Sequence, residues 1–459
     1  MRRQRRTFVF GVLALLAWGG LAFGGVYRWA YVPMGVGAAV LAGTGLVQAS
    51  KPLRLSHRLI ASLLLVVVVI TLQLLPLPPA VLNVVSPATE GLLRQLDLSI
   101  AANASAWHSL SVDPSLTMTA LLLLMAFGAL LVVLQGTLTR DEAETLVKGV
   151  ASIGCVLSVI SIVHGTSRSG LVYGFWRPEI ATLPAAPFIN HNHFAGWLLL
   201  ALPSSIGGFV SLLRRQQDRF SRWHRIAGML SSSTGAGLVL LALALLVMMT
   251  AMLFTQSRSG IVAITVAVLL FCTWVAARGD ARTRLALGLG LALVLAAVAW
   301  VGLAPLVERF SDVRISTVQR LEFWSDAWRV FRDFPLAGTG VNTFGTAMLF
   351  YQTSGRPYHA GQAHNDYLQI LSEGGVLLGV AVVAVVLALV SEIRRGLRTT
   401  PDDPIRIGAA AGLLAIALQS CGEFSLQMPG VAVLFAVVAA IAARRPQPRV
   451  PSRPISQVA

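Results

Sequence analysis

Apolar stretches of about twenty residues recur from one end of this chain to the other, and that recurrence decides its fold class before any motif is weighed. A hydrocarbon core of about 30 Å takes roughly 17 to 25 residues of helix to cross. We read about twelve such spans, near 7–25, 30–49, 59–76, 115–136, 145–164, 193–213, 235–255, 260–277, 283–304, 370–391, 407–422 and 428–443. The expectation is an all-α, polytopic integral membrane protein, a single membrane domain over 1–459. Composition agrees, with 55% hydrophobic residues, 12% charged and a mean hydropathy of +0.72. The first span follows Arg2, Arg3, Arg5 and Arg6 and so imitates a signal peptide, but it is long and lacks a clear small-residue cleavage site, and we read it as an anchor.

Orientation follows from the basic residues, because short loops rich in them stay cytoplasmic. With both termini inside, alternate loops hold 25 of the 36 basic residues, from the N-terminal arginines through Arg214, Arg215, Arg219, Arg222 and Arg225 to Arg444, Arg445, Arg449 and Arg453. The net charge of +16 is then mostly a topology signal, with attraction to anionic membrane lipid added to it. It does not indicate nucleic-acid binding, since it is scattered over short loops with no recognisable nucleic-acid module. The other eleven basic residues fall on the outward side, and all are arginine: Arg28, Arg94, Arg168, Arg177, Arg258, Arg309, Arg314, Arg320, Arg329, Arg332 and Arg356. Arginine's planar fork suits an oxyanion such as phosphate. Lysine is scarce throughout the chain, so composition alone also accounts for the bias.

Cys155, Cys272 and Cys421 lie far apart, in or beside apolar spans, and read as small hydrophobes. No phosphate-cradling glycine loop and no outward acidic pair proposes a nucleotide or a metal, so no cofactor is expected. Two outward loops are large. The first, 77–114, opens on Pro76-Leu77-Pro78-Pro79 and reads as a stiff connector with an interfacial Trp107. The second, 305–369, contains an amphipathic helix over Gln319–Phe334, with Leu321, Trp324, Trp328 and Phe331 at helical spacing and Glu322, Asp326, Arg329 and Arg332 on other faces. Pro335 stops that helix and Gly338-Thr339-Gly340 turns the chain.

Three helices share one geometry, each starting from the outer surface with a polar cluster: Asn190-His191-Asn192-His193, Thr255-Gln256-Ser257-Arg258-Ser259-Gly260 and His364-Asn365-Asp366. Unpaired N–H groups and a partial positive charge make a helix N-terminus a site for phosphate. Capping accounts for Asn192, Ser259 and Asp366, with Gln369 closing a capping box on Asp366. It does not call for Arg258 or His364. An imidazole at a helix N-terminus beside arginines is expected to stay neutral at pH 7 and serve as a general base, provided the three clusters meet.

Four segments together resemble the O-antigen ligase and O-antigen polymerase family, membrane glycosyltransferases of the GT-C type that act on polyprenyl-diphosphate-linked glycans. They are Pro187 through Trp197, Gln256-Ser257-Arg258-Ser259-Gly260, Arg320–Trp324 continuing to Phe334–Gly340 and Phe344, and Ala363–Leu368 through Glu373-Gly374-Gly375; a fainter echo is Glu423-Phe424 to Pro429. Their order and sidedness over about 175–440 carry the resemblance. It implies a catalytic histidine in the last large periplasmic loop, matched by His364, and outward arginines that hold the donor diphosphate without a metal, matched by Arg258 and, as a second, Arg177 or Arg320. Asn190, His191, Asn192, Ser257 and Asn365 would line the substrate site. Many relatives carry a basic residue where this chain has His191.

The implied reaction is inverting transfer of a lipid-linked oligosaccharide onto an acceptor sugar hydroxyl at the periplasmic face of the bacterial inner membrane. Polymerisation of a surface or exported polysaccharide is favoured over ligation to lipid A-core; a protein-glycosylating relative is a third form. A transporter of lipid-linked glycan is the reading from another class. It is disfavoured because ionisable residues are nearly absent from the span centres.

Overall fold

The computed structural model describes residues 2–48, 55–96, 98–103, 105–166, 171–177, 185–217, 233–278, 284, 288, 313–353 and 359–445. Within these the chain is all-α. The helices are α1 Arg2–Leu21, α2 Arg28–Val47, α3 His57–Leu74, α4 Pro79–Val85, α5 Pro87–Leu96, α6 Leu98–Ala102, α7 Pro114–Thr137 and α8 Arg140–Thr166. They continue as α9 His191–Gln217, α10 Ser233–Phe254, α11 Arg258–Arg278, α12 Val313–Asp333, α13 Phe344–Tyr351, α14 Asp366–Thr399, α15 Pro404–Gln419 and α16 Pro429–Ala443.

Eight of the described helices are long and apolar enough to cross a membrane: α2, α3, α7, α8, α9, α10, α11 and α14. This is a multi-pass membrane protein. The expected count of about twelve is not reached among the described residues. α1 fills the first expected span but opens on arginines and is not among the eight, α15 and α16 are apolar but only 16 and 15 residues long, and 283–304 lies outside the described residues except for 284 and 288.

α9 is the central helix, with 83% of its apolar window buried against 28–44% in the other seven. It packs on α8, α10, α11, α15 and α16. Its contact with α15 is backbone to backbone: a Cβ on Gly207 would lie 2.3 Å from the Pro404 carbonyl oxygen, and one on Gly408 would lie 2.3 Å from that of Pro203. Small residues allow this approach, which is how helices associate where apolar burial offers little drive. At the opposite end from the site, the Arg406 guanidinium donates to the Ala442 and Arg444 carbonyls at 2.7 and 2.9 Å, Arg444 pairs with Asp403, and Arg445 pairs with Glu392 at 2.9 Å. Arginines that mark topology in the sequence therefore also satisfy the orphan carbonyls where α16 ends.

The two large loops form a second core of their own. Leu82, Leu92, Leu93, Leu110 and Val112 from the first loop pack with Phe323, Ala327, Val330, Phe334, Phe344 and Met348 from the second. The first loop is thus not a bare connector: its prolines open α4 and α5, whose leucines join this core. α12 also differs from the expected amphipathic helix. Its buried stripe is Phe323, Ala327, Val330 and Phe334, while Leu321 and Trp328 are exposed and Asp326 is fully buried, accepting from the Thr353 hydroxyl at 2.8 Å. The sequence pattern marked large apolar residues, but the first loop chose the face one residue away.

α14 begins with the segment of most interest and breaks at Gly375, where φ is 59° and ψ is −162°. The Pro335–Gly340 segment lies across this break. Thr339 and Gly340 donate backbone N–H to the Ser372 and Glu373 carbonyls at 3.1 and 2.9 Å, and Val376 and Leu377 return N–H to Pro335 and Leu336 at 2.8 and 3.2 Å. Gly338, at φ +68°, has room for no Cβ, which would lie 2.1 Å from the Glu373 carbonyl carbon. The two glycine motifs that stand out in the sequence are therefore the two sides of one backbone crossing. Glu373 then caps α13, accepting from the Asn342 and Phe344 N–H groups at 2.8 and 3.1 Å.

Candidate active site

Two of the three polar helix starts, those of α9 and α14, reach the loop between α15 and α16, and the third, that of α11, packs against the first turns of α9. His191 donates through Nδ1 to the Thr255 carbonyl at 2.7 Å, joining the start of α9 to the turn before α11. A Cβ on Gly260 would lie 3.1 Å from that of Ala195, so the first turns of α9 and α11 are in contact. The Asn192 carbonyl accepts from Gln419 Nε2 and Ser425 Oγ, both at 3.1 Å, joining α9 to the α15–α16 loop. The start of α14 reaches the same loop: Asn365 Nδ2 donates to the Cys421 carbonyl at 3.0 Å, the Asp366 N–H donates to Ser420, and the Asp366 carboxylate accepts from Ser420 Oγ at 2.7 Å and Gln427 Nε2 at 3.0 Å.

Each cap stands earlier than the sequence reading placed it. Asn190 Oδ1 accepts from the Asn192 N–H at 2.8 Å, Ser257 Oγ from the Gly260 N–H at 3.3 Å, and Asn365 Oδ1 from the Tyr367 and Leu368 N–H groups at 3.0 and 3.1 Å. Asn192, Ser259 and Asp366 are not the caps. The reason is common to α11 and α14: the residue before each cap takes a left-handed conformation, with φ +52° at Gln256 and +51° at His364, and turns the chain one step before the helix begins. Asp366 is thereby freed to bond the α15–α16 loop, and Gln369 spends its carboxamide on Ala363 N–H, Glu373 and Gln427 rather than on a capping box.

His364 is held from four directions. Its carbonyl accepts from Trp324 Nε1 at 3.4 Å. The Phe323 ring stacks on the imidazole at 5.2 Å and 26°, and the Phe424 ring meets it edge-on at 4.8 Å and 89°. Its Nδ1 lies 3.4 Å from Glu423 Oε2, while the other oxygen of Glu423 pairs with Arg320. His193, buried beneath, packs edge-on against the other side of Phe424 at 4.7 Å. The Glu423 side chain has no exposed surface, whereas 29% of that of His364 is accessible. Burial by itself would raise the Glu423 pKa, but the hydrogen bond and charge of His364, then the charges of Arg320 and His193, hold it below the ordinary carboxylate value.

The other sequence candidates divide. Arg258 is half-buried as the first residue of α11, and Arg320 projects from α12 to Glu423. Arg177 is exposed at the end of the turn Val172–Trp176, which packs on Phe23 and Tyr27 near the ends of α1 and α2 and is joined to the cluster through Ala186 and Ile189. Cys421 is exposed beside Asn365 rather than buried as a small hydrophobe. Glu423 is the residue the sequence reading noticed only as a faint motif. The signal was a lone acidic residue between two short apolar helices, and nothing local gives it a partner.

Residues 241–383 match the protein-family model described as O-Antigen ligase. The chain carries an O-antigen ligase domain. It is an enzyme of the O-antigen ligase and polymerase type. The match runs from within α10 into α14 and so takes in Ser257, Arg258, Arg320, His364 and Asn365, but neither the start of α9 nor Glu423. A search of curated proteins returns no match. What the match adds to the geometry is a reaction class, glycan transfer from a lipid-linked substrate.

Proposed function

We propose that this protein transfers an oligosaccharide from a polyprenyl diphosphate onto an acceptor sugar hydroxyl at the periplasmic face of the bacterial inner membrane, and that it does so as a polysaccharide polymerase. The observation that carries the reading is His364, an accessible imidazole gripped by two rings and two polar partners at the start of α14. A base held in one geometry at the end of a membrane bundle fits proton removal from a hydroxyl. In this reading the acceptor oxygen attacks the anomeric carbon as His364 takes its proton, the bond from that carbon to the diphosphate oxygen breaks, and the lipid diphosphate leaves with the bonding electrons. Arg258, at the positive end of α11, stabilises the departing anion together with Arg177. Asn190, His191, Asn192, Ser257 and Asn365 shape the pocket around it. Attack in line with the leaving group inverts the anomeric configuration.

Ligation to lipid A-core uses the same donor chemistry, so the acceptor decides between the two. The test is transfer by purified protein given polyprenyl-diphosphate-linked oligosaccharide, with and without lipid A-core, beside His364→Ala. Ladders without lipid A-core are the expected result, and product only in its presence makes the protein a ligase. If His364→Ala, present at normal levels, transfers like the wild type, the base assignment fails. If no acceptor is used at all, passage of the lipid-linked glycan replaces transfer as the account.

A further inference from the structure

We propose that Glu423 is the positioning residue of this site, fixing the proton of His364 on Nδ1 so that Nε2 is the basic atom, and that Arg320 serves this carboxylate rather than the donor diphosphate. The inference rests on His364 being the base.

A carboxylate can only accept, so a Glu423 oxygen 3.4 Å from Nδ1 requires the imidazole proton to sit on that nitrogen and leaves the lone pair on Nε2. The contact is long, as such contacts often are before substrate tightens a site. Glu423 cannot be the base itself, because its side chain has no exposed surface through which an acceptor hydroxyl could reach it. His193 is a poor substitute, buried to 6% exposure behind Phe424. A buried carboxylate needs partners to stay ionised, and Glu423 has the guanidinium of Arg320 and the Nδ1–H of His364.

The division of its oxygens carries the second half of the proposal. Oε1 pairs with Arg320 and Oε2 faces His364, so the carboxylate cannot rotate toward one partner without leaving the other. Arg320 stands three residues before Phe323, which stacks on the same imidazole, and four before Trp324, which holds the His364 carbonyl. One face of α12 therefore supplies a ring and an indole N–H to His364 and a guanidinium to the carboxylate beside it. The charge of an arginine committed in this way is already balanced by Glu423, which weakens its attraction for a diphosphate. The diphosphate then falls to Arg258, which opens α11, and Arg177.

The experiment compares donor KM and kcat for the wild type, Glu423→Gln, Glu423→Asp, Arg320→Met and His364→Ala, using polyprenyl-diphosphate-linked oligosaccharide. It adds the nitrogen chemical shifts of 15N-histidine protein, with the His364 signal identified by its loss in His364→Gln. Loss of a carboxylate that orients a catalytic imidazole costs up to about 10⁴-fold in the serine-protease triad. Here Glu423→Gln is expected to lower kcat by about 10²-fold or more with donor KM within about threefold, and Glu423→Asp to recover about tenfold of the loss. Arg320→Met should lower kcat and leave donor KM unchanged. Should either variant fail to fold, the shifts of the wild-type protein still decide the matter: His364 protonated on Nε2 with a bare Nδ1 overturns the proposal. So does Arg320→Met if it raises KM alone. An inactive His364→Ala beside a fully active Glu423→Gln sinks this inference and spares the base reading, whereas an active His364→Ala sinks both.

Discussion

Replacing Gly338 by alanine tests whether the glycine crossing between the Pro335–Gly340 segment and the break in α14 holds the site together. Gly338 sits at φ +68°, where an L-residue costs roughly 1–2 kcal/mol that glycine does not. The new Cβ would stand 2.1 Å from the Glu373 carbonyl carbon and 2.3 Å from both the Glu373 oxygen and the Gly374 nitrogen. All three are backbone atoms, so no side chain can swing aside, and the two segments must separate by roughly an ångström. Overpacking of this kind costs about 1–3 kcal/mol, and stretching the four hydrogen bonds of the crossing adds to it. The expected loss is about 2–5 kcal/mol, a large share of the 5–15 kcal/mol typical of a folded domain. Thermal inactivation in detergent and limited proteolysis of the outer loops measure it, with Gly361→Ala as the control because its Cβ would meet nothing within 4 Å. The control should behave as wild type, and Gly338→Ala should inactivate at lower temperature and be cut within the loop core. Equal melting and equal transfer by the two variants would refute the crossing as a structural clamp.

Asn365→Ala should cost about 1 kcal/mol through the lost cap of α14, seen as earlier thermal inactivation, while Asp366→Asn should leave that cap intact; the reverse order would restore Asp366 as the cap. The depressed pKa of Glu423 also sets a pH window. Because its folded value lies below the unfolded one, the stability it contributes is present above the unfolded carboxylate value near 4.3 and is lost as pH falls through the lower folded value. The stability gap between wild type and Glu423→Gln should accordingly stay constant from about pH 7 to 5 and close below about pH 4. A gap that closes between pH 7 and 6 instead would assign the linkage to another group.

The class of this protein was legible in its sequence because the signals are local. A run of twenty apolar residues needs no partner to declare itself a membrane helix. The clusters at Asn190–His193, Thr255–Gly260 and His364–Asp366 were visible for the same reason, since a polar group beside an apolar run marks a helix start wherever it occurs. Their caps were misplaced by one or two residues because the left-handed turns at Gln256 and His364 are not encoded in residue type: neither is glycine or asparagine. The buried face of α12 was misread for a related reason. Its sequence offers apolar residues on more than one side, and only the core assembled from both loops decides between Phe323 and Leu321.

The company each polar group keeps was set by the packing of the helices. Glu423 follows His364 by 59 residues and Arg320 by 103, with two or more helices between, so no spacing rule could pair them. The same holds for Gly338 and Gly375, each an ordinary turn glycine until the other is laid across it. Apolar length fixes that a helix crosses a membrane; which charge stands beside which at its end depends on how the helices are assembled, and a buried charge is tolerable only where that assembly brings it a partner.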